Sequence, residues 1–385
     1  MRALWNFIPD WTSAVTEILS WKTDVLTSPT GAEQRIARRI TPRRTFEFTV
    51  ELSGDERRIF ENMLYQAGGS EWDFPIFPDV LTLQHSLSAG AVFIPAETNG
   101  RDFVTGDSVL IMDWNGKTET AIINSIYDDG LKVSALKYAW LSGCAVFPLR
   151  PAVLTDPPAR LRQTDELARW QTRFRIAAHT PALADAGITR WRGHPVLTTD
   201  PDRTNDLTGE YARIMSELDN QTGIPYRMDS AGRAFNVQSF TWYAAGRTEQ
   251  TTLRRLFYYL RGRQRPVWVP GDVSDFIPVN TSGNKLETLI TDYSAYGVMN
   301  GRRDLYIRLT DGSTMYRRIV SARTANKTEL LTLNDVLPPA EQILNISFMT
   351  LSRLVDDDVT FEHITDSDGL ASVTVNFKGV RDELE

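Results

Sequence analysis

A chain of 385 residues is too long for one ordinary hydrophobic core, so two or more domains are expected. Its 42% hydrophobic and 24% charged residues are those of a soluble globular protein, and 10 Trp, 12 Tyr and 17 Phe lean towards β structure. A net charge of −7 argues against a general nucleic-acid binder, no run approaches the ~18 apolar residues of a membrane-spanning helix, and MRALWNFIPDW lacks the order of a secretory signal.

Residues 5–44 are rich in Trp and Pro and read as short strands joined by turns, with Trp21–Thr27, Thr30–Arg35 and Pro42-Arg43-Arg44 as landmarks. The next stretch, residues 46–80, organises the chain. Phe46, Phe48, Val50 and Leu52 alternate with polar residues, which predicts a half-buried strand. Ser53-Gly54-Asp55-Glu56 then suits a helix start, and Ile59, Phe60, Met63 and Leu64 form the expected apolar stripe before Gly68-Gly69. A second strand follows at WDFPIFPDV. Ser108–Met112, Asn115-Gly116, Thr120–Ile126, Asp128-Asp129-Gly130 and Leu131–Val133 read as a β-meander, since Asn-Gly and Asp-Gly between apolar runs are hairpin signals. Two more strand segments, Val146–Leu149 and Val153–Asp156, precede a last alternating strand at Leu167–Ile176, expected to pair with the Phe46 strand.

The same grammar returns about 190 residues later. Phe235, Val237 and Phe240 open a strand; Leu253, Leu256, Phe257 and Leu260 form a helical stripe; Pro266–Pro270 answers Pro75–Pro78. A second meander spans residues 305–333, and Ile346–Met349, Leu354–Asp356 and Leu370–Phe377 close the half. The expected architecture is mainly β, a β-sandwich or barrel with one flanking helix per repeat. It consists of two tandem copies, 1–180 and 181–385, each with a small meander or barrel at about 104–150 and 300–350, and residues 179–193 read as the linker.

Little in this sequence points to catalysis. Only His85, His179, His194 and His363 occur, none with a second ligand at metal spacing, and there is no P-loop, dinucleotide fingerprint or nucleophile elbow. Cys144 stands alone between Gly143 and Ala145 and reads as a small core residue. Asp356-Asp357-Asp358 reads as a solvated turn, because its counterpart is Asp156-Pro157-Pro158. Glu71 and Asp73 share a strand face beside Trp72, but the second half has Arg263 and Arg265 there, against a glycosidase pair. No enzyme, cofactor or metal is expected. Arg35, Arg38, Arg39, Arg43 and Arg44, with Arg254, Arg255, Arg261 and Arg263, are interleaved with aromatics and carboxylates. In an acidic chain this favours subunit contacts over nucleic acid.

The run W-x-T-D-V-L at Trp21–Leu26, the G-A-E-Q-R and P-R-R before F-E-F at residues 31–48, and the strand–helix–strand with its proline-rich exit resemble minor tail proteins of long-tailed bacteriophages, especially the distal tail protein. The second half departs at Gly209-Glu210-Tyr211, where the Gln-Arg pair is missing, and lacks the Pro-Arg-Arg. The resemblance implies a tail-tube-like fold in the virion, polymerising as a ring around the DNA channel between tail tube and tip, and no catalytic residues. Duplication and divergence together suggest a homo-oligomer, a trimer of pseudo-six-fold symmetry ahead of a hexamer, with tail-tube and hub proteins as neighbours. Carboxylates lining such a channel would repel DNA phosphates. The rival readings are a carbohydrate- or receptor-binding module exposing Trp114 or Trp140, a cell-wall hydrolase, and a nucleic-acid-binding repeat protein.

Overall fold

The computed structural model describes residues 2–178, 187–204 and 206–381, so most of the expected linker lies outside the described residues. Strand accounts for 49% of the chain and helix for 10%, so sheets carry the architecture. In the first half the main elements are β1 (Val15–Ser20), a hairpin of β2 (Thr23–Thr27) and β3 (Glu33–Ala37), β4 (Arg43–Ser53), α1 (Gly54–Ala67) and β5 (Glu71–Pro75). β6 (Ala145–Leu154), β7 (Ala159–Arg162) and β8 (Leu167–Ile176) complete that half. The second half has β9 (Thr208–Ala212), a hairpin of β10 (Met215–Leu218) and β11 (Tyr226–Asp229), β12 (Phe235–Ala245), α2 (Arg247–Leu260) and β13 (Val267–Pro270). It ends with β14 (Ile343–Leu354), β15 (Asp358–His363) and β16 (Leu370–Gly379).

The alternation in β4 places Phe46, Phe48, Val50 and Leu52 in one core and leaves Glu47, Thr49 and Glu51 on the other face. β4 pairs antiparallel with β8 from Thr45↔Arg175 to Ser53↔Leu167, and β12 pairs with β16 from Val237↔Lys378 to Ala245↔Leu370. The expected meeting of sequence-distant strands therefore occurs in both halves. Trp5 centres the first core, with edge-on contacts to Phe7, Phe48, Phe60, Trp72 and Phe174 at 4.8–5.8 Å. α1 covers this core through Phe60; Ile59, expected in the stripe, is exposed, because the helix touches the sheet along a narrower line than its sequence offers. Ser53 has extended backbone at the helix start but makes no side-chain cap. In α2 all four expected residues, Leu253, Leu256, Phe257 and Leu260, are buried.

No closed barrel forms among the described residues, so the barrel reading of the meanders gives way to that of added antiparallel sheets. In the first, Ser108–Met112 pairs with residues 118–122 and with residues 145–149 of β6; in the second, Asp304–Leu309 lies between residues 314–318 and β14. The segments read as two strands are single long strands, β6 and β14, each shared between the main sheet and its meander. Cys144 is buried with Val109, Ile111, Ile123 and Trp140 in the core of the first meander, as its apolar neighbours implied.

The halves are not separate sheets. β1 pairs on one side with β4 and on the other with β15. The main sheet therefore runs β7–β8–β4–β1–β15–β16–β12–β9, antiparallel throughout. Each half supplies four strands, and the junction between them is β1 against β15.

Candidate assembly interface

This junction buries a cluster of charged and titratable groups, Glu17, Arg44 and His363. In VTEILS the core-facing positions are Val15, Glu17 and Leu19, so strand alternation itself drives a carboxylate into the sheet's apolar side. Glu17 accepts hydrogen bonds from Arg44 Nε at 2.7 Å and from Arg254 Nη1 and Nη2 at 3.0 and 2.5 Å. It also accepts from His363 Nε2 at 3.0 Å, while His363 Nδ1 accepts from Gln250 Nε2 at 3.1 Å, which fixes a neutral ring with its proton on Nε2. Arg44 also pairs with Asp102. Burial alone would raise the Glu17 carboxyl, but Arg254 and Arg44, with the His363 hydrogen bond, hold it well below the usual carboxylate range. Burial pushes His363 down, and the bond to Glu17 only partly offsets that.

The chain leaving β1 is held by the second half. Trp21 N–H donates to the Asp357 carbonyl at 3.0 Å and Thr23 N–H to the Asp357 carboxylate at 2.7 Å, while Trp21 packs edge-on against Tyr258 at 5.8 Å. Asp357 also accepts from Arg263 N–H at 3.0 Å. It is therefore a junction residue and not part of a solvated turn; its partners lie 94 residues away at Arg263 and over 300 away at Trp21 and Thr23, where local pattern carries no signal. Arg247 joins Asp79 across the halves at 2.6 Å.

The nine arginines expected at subunit contacts divide into groups. Arg254, Arg263 (to Thr23 O, 3.2 Å) and Arg35 (to Arg263 O, 2.5 Å) bind one half of the chain to the other. Arg44 is buried in the network, and Arg39 donates to Trp21 O at 2.8 Å, so these hold the junction from within the first half. Arg38 pairs with Asp24 at the surface, Arg43 is exposed on β4, and Arg255 and Arg261 are half-buried at α2. Burial, then Arg265, lowers the Arg261 pKa. Sequence reasoning does not single out Glu17 or Arg247, and it reads His363 only as lacking a second metal ligand and Asp357 only as part of a solvated turn; Glu17 alone had a signal, an acid at a core-facing position of an alternating strand.

The outermost strands of the main sheet, β7 and β9, have no second strand partner among the described residues. Beside β9, the β10–β11 hairpin exposes Met215, Leu218, Ile224, Tyr226 and Met228. Beside β7 lies a cleft of about 550 Å³ lined by Leu64, Tyr65, Gly68, Leu154, Pro157 and Trp170, among others. A larger cleft of about 1130 Å³ lies under β9 and β12 and includes Tyr211, Arg213, Asp275 and Arg302.

Glu71 and Asp73 are both bound by Arg2, at 3.0 and 3.2 Å. Trp140 is buried and donates to Glu119 at 2.8 Å, whereas Trp114 is exposed. Among the described residues no three His, Cys, Asp or Glu side chains cluster to hold a metal, and no helix is long and apolar enough to cross a membrane. Compared with known proteins, the chain matches no protein-family model and no curated protein sequence.

Proposed function

We propose that this chain is a structural protein of a bacteriophage tail tip, a ring-forming distal tail protein of the long-tailed type whose halves arose by tandem duplication. The observation that carries the reading is the β1–β15 junction: two four-strand units already meet edge to edge within one chain, and the same kinds of edge stand open at its two ends. Heterologous contacts of this kind generate rings when the rotation closes. Three chains joined head to tail supply six units, so one face of the ring matches a six-fold tail tube and the other a three-fold hub. With eight strands per chain at about 4.8 Å each, three chains span a circumference of about 115 Å, or about 37 Å across before strand tilt widens it. That admits a duplex whose major groove alone is about 12 Å wide.

In such a ring the polar face of the main sheet lines the channel. Glu47 and Glu51 on that face are paired with Arg173 and Arg169, each at 2.8 Å, so DNA would pass a wall of paired charges and not a bare acidic one. The protein acts in the virion after assembly in the host cytoplasm. Its partners are further copies, the tail tube and the tip hub, and it has no cofactor and no catalytic role. The alternative, a carbohydrate- or receptor-binding module of the tip, draws support only from exposed Trp114.

Mass measurement with electron microscopy of the purified chain tests the reading. Three copies in a pseudo-six-fold ring are expected. A chain that stays monomeric up to its solubility limit would overturn the ring, and six chains in a true six-fold ring would overturn the trimer.

A further inference from the structure

The two open edges can be compared residue by residue with the edges that already meet inside the chain. The ladders between β4 and β8 and between β12 and β16 have equal length, which sets Ser53 level with Ala245 and Leu167 level with Leu370. β1 pairs Thr16 with Glu47, and β9 pairs Thr208 with Ser239, so Thr208 holds the place of Thr16 and Tyr211 that of Leu19. Likewise β7 sets Arg160 against Trp170 where β15 sets Phe361 against Val373, so Leu161 holds the place of Glu362. The open strands β9 and β7 are thus the counterparts of the joined strands β1 and β15.

The flanking groups follow the same rule. Next to β1, the β2–β3 hairpin lies on the second half: Arg381 donates to Thr30 O, and a Cβ on Gly31 would meet Ile214 Cδ1 at 2.8 Å. Its counterpart, the β10–β11 hairpin, carries Leu218, Ile224 and Tyr226 at 72%, 98% and 66% exposure. On the receiving side, α1 and α2 are both 14 residues long, so Tyr65 holds the place of Tyr258. Tyr258 is 7% exposed under Trp21; Tyr65 is 94% exposed in the cleft beside β7. One half's receiving cleft is filled by the other half, and the remaining cleft and hairpin are the matching pair left over.

We infer that the occupant of this cleft is a second copy of the same chain. β9 of one copy adds antiparallel to β7 of the next, with Thr208 opposite Leu161 and Glu210 opposite Ala159. Its β10–β11 hairpin lies over the neighbour's first half, and Tyr211 enters the cleft at Leu64, Tyr65 and Leu154. Main-chain hydrogen bonds supply the pairing, and the apolar hairpin and cleft supply the selectivity. Arg213, paired with Asp229, stands where the first half has Trp21, and Glu61, paired with Arg57 and Arg160, where the second half has Arg254, so both edges arrive with their charges already neutralised. The inference rests on the ring reading, and specifies its contact.

Disulfide trapping tests it on the full chain. Facing residues of an antiparallel pair have Cα atoms about 4.5–5.5 Å apart, within the ~4.4–6.8 Å that a disulfide spans. Thr208 and Leu161 of one copy lie at opposite edges of its own sheet, seven strand spacings of about 4.8 Å apart. A disulfide in the Leu161→Cys/Thr208→Cys variant must therefore join two chains; the native Cys144 is buried and leaves the background clean. On oxidation the double variant is expected to form covalent multimers on a non-reducing gel while neither single variant does, and Leu218→Asp/Tyr226→Asp is expected to weaken self-association at least tenfold. If the wild-type chain assembles but the cysteines do not crosslink and the hairpin variant assembles normally, the contact is wrong and the ring stands. If the wild-type chain never assembles and no crosslink forms, the ring reading fails as well.

Discussion

Replacing Glu17 with Gln removes one negative charge from a site where two guanidiniums and a neutral imidazole converge on it. Arg44 keeps Asp102, but Arg254 has Glu17 as its only ion-pair partner among the described residues. Deleting one member of a buried pair and stranding the other costs about 3–5 kcal/mol. Against a total of about 5–15 kcal/mol for a folded domain, that is a large fraction. The amide compounds the problem, because its NH₂ would point a donor at another donor, either Arg254 or the His363 Nε2–H. Urea unfolding should show the midpoint falling by the equivalent of about 3–5 kcal/mol at unchanged slope. Glu17→Leu/Arg254→Met should recover much of the loss, because apolar replacement of a buried pair removes the stranded charge. The reasoning fails if Glu17→Gln costs under about 1 kcal/mol, or if the double variant is as unstable as the sum of its singles.

The same cluster sets a pH dependence. His363 is held below its ordinary value near 6.5, so the unfolded chain takes up a proton first, and stability falls as pH drops below that point. Glu17, held below its ordinary 4.5, adds a second loss as pH falls through and below that value. Denaturation midpoints from pH 8 to pH 4 should be level at first and then decline, and a rise on acidification would contradict the network. Gly31→Ala should cost about 1–3 kcal/mol, because φ is +84° and the new Cβ would meet Ile214 and Phe235; an unchanged melting temperature would mean that the β2–β3 tip does not rest there. Trp5→Ala should cost about 3–5 kcal/mol by thermal or urea unfolding, since five rings lose their common neighbour, and a loss below about 1 kcal/mol would place the core elsewhere.

Elements whose identity depends on their own period were legible in the sequence. β4, α1, β12, α2 and the meander strands lie where alternation, helical stripes and Asn-Gly or Asp-Gly turns put them, and β8 and β16 pair as their patterns required. Ile59 misled because a helical stripe records what could be buried, while the width of contact with the sheet decides what is. The arginine-rich segments read as subunit contacts, but a run of Arg cannot say whether its partners belong to the same chain. Here Arg254 and Arg263 reach Glu17 and Thr23, both over 200 residues away. Asp357 is marked only as the middle of an Asp run, which carries no sign of the distant Trp21 and Thr23 amides that it binds. Glu17 had a local mark, since a carboxylate in phase with Val15 and Leu19 must meet a cation or go unfolded.

If the halves arose by the proposed duplication, the junction within the chain and the open edges at its ends differ in the direction that their physics requires. Inside the chain, the halves meet at the high effective concentration of a tether, so the junction can bury a carboxylate, two arginines and a histidine that never face water unpaired. An edge that waits in solvent for another copy has different demands: a charge kept there must be desolvated anew at each association, and a long regular edge invites wrong partners. Gly209 accordingly stands where β1 has Glu17. β7 is four residues long, carries Arg160 and Arg162, and follows Pro157-Pro158, which cannot donate to a ladder. The apolar groups move to the hairpin and the cleft, beside the edge and not on it. On the proposed ring, a unit that kept the buried network at both junctions would be harder to hold as a soluble precursor, so the asymmetry between the halves agrees with the proposal that one junction forms on folding and the other on assembly.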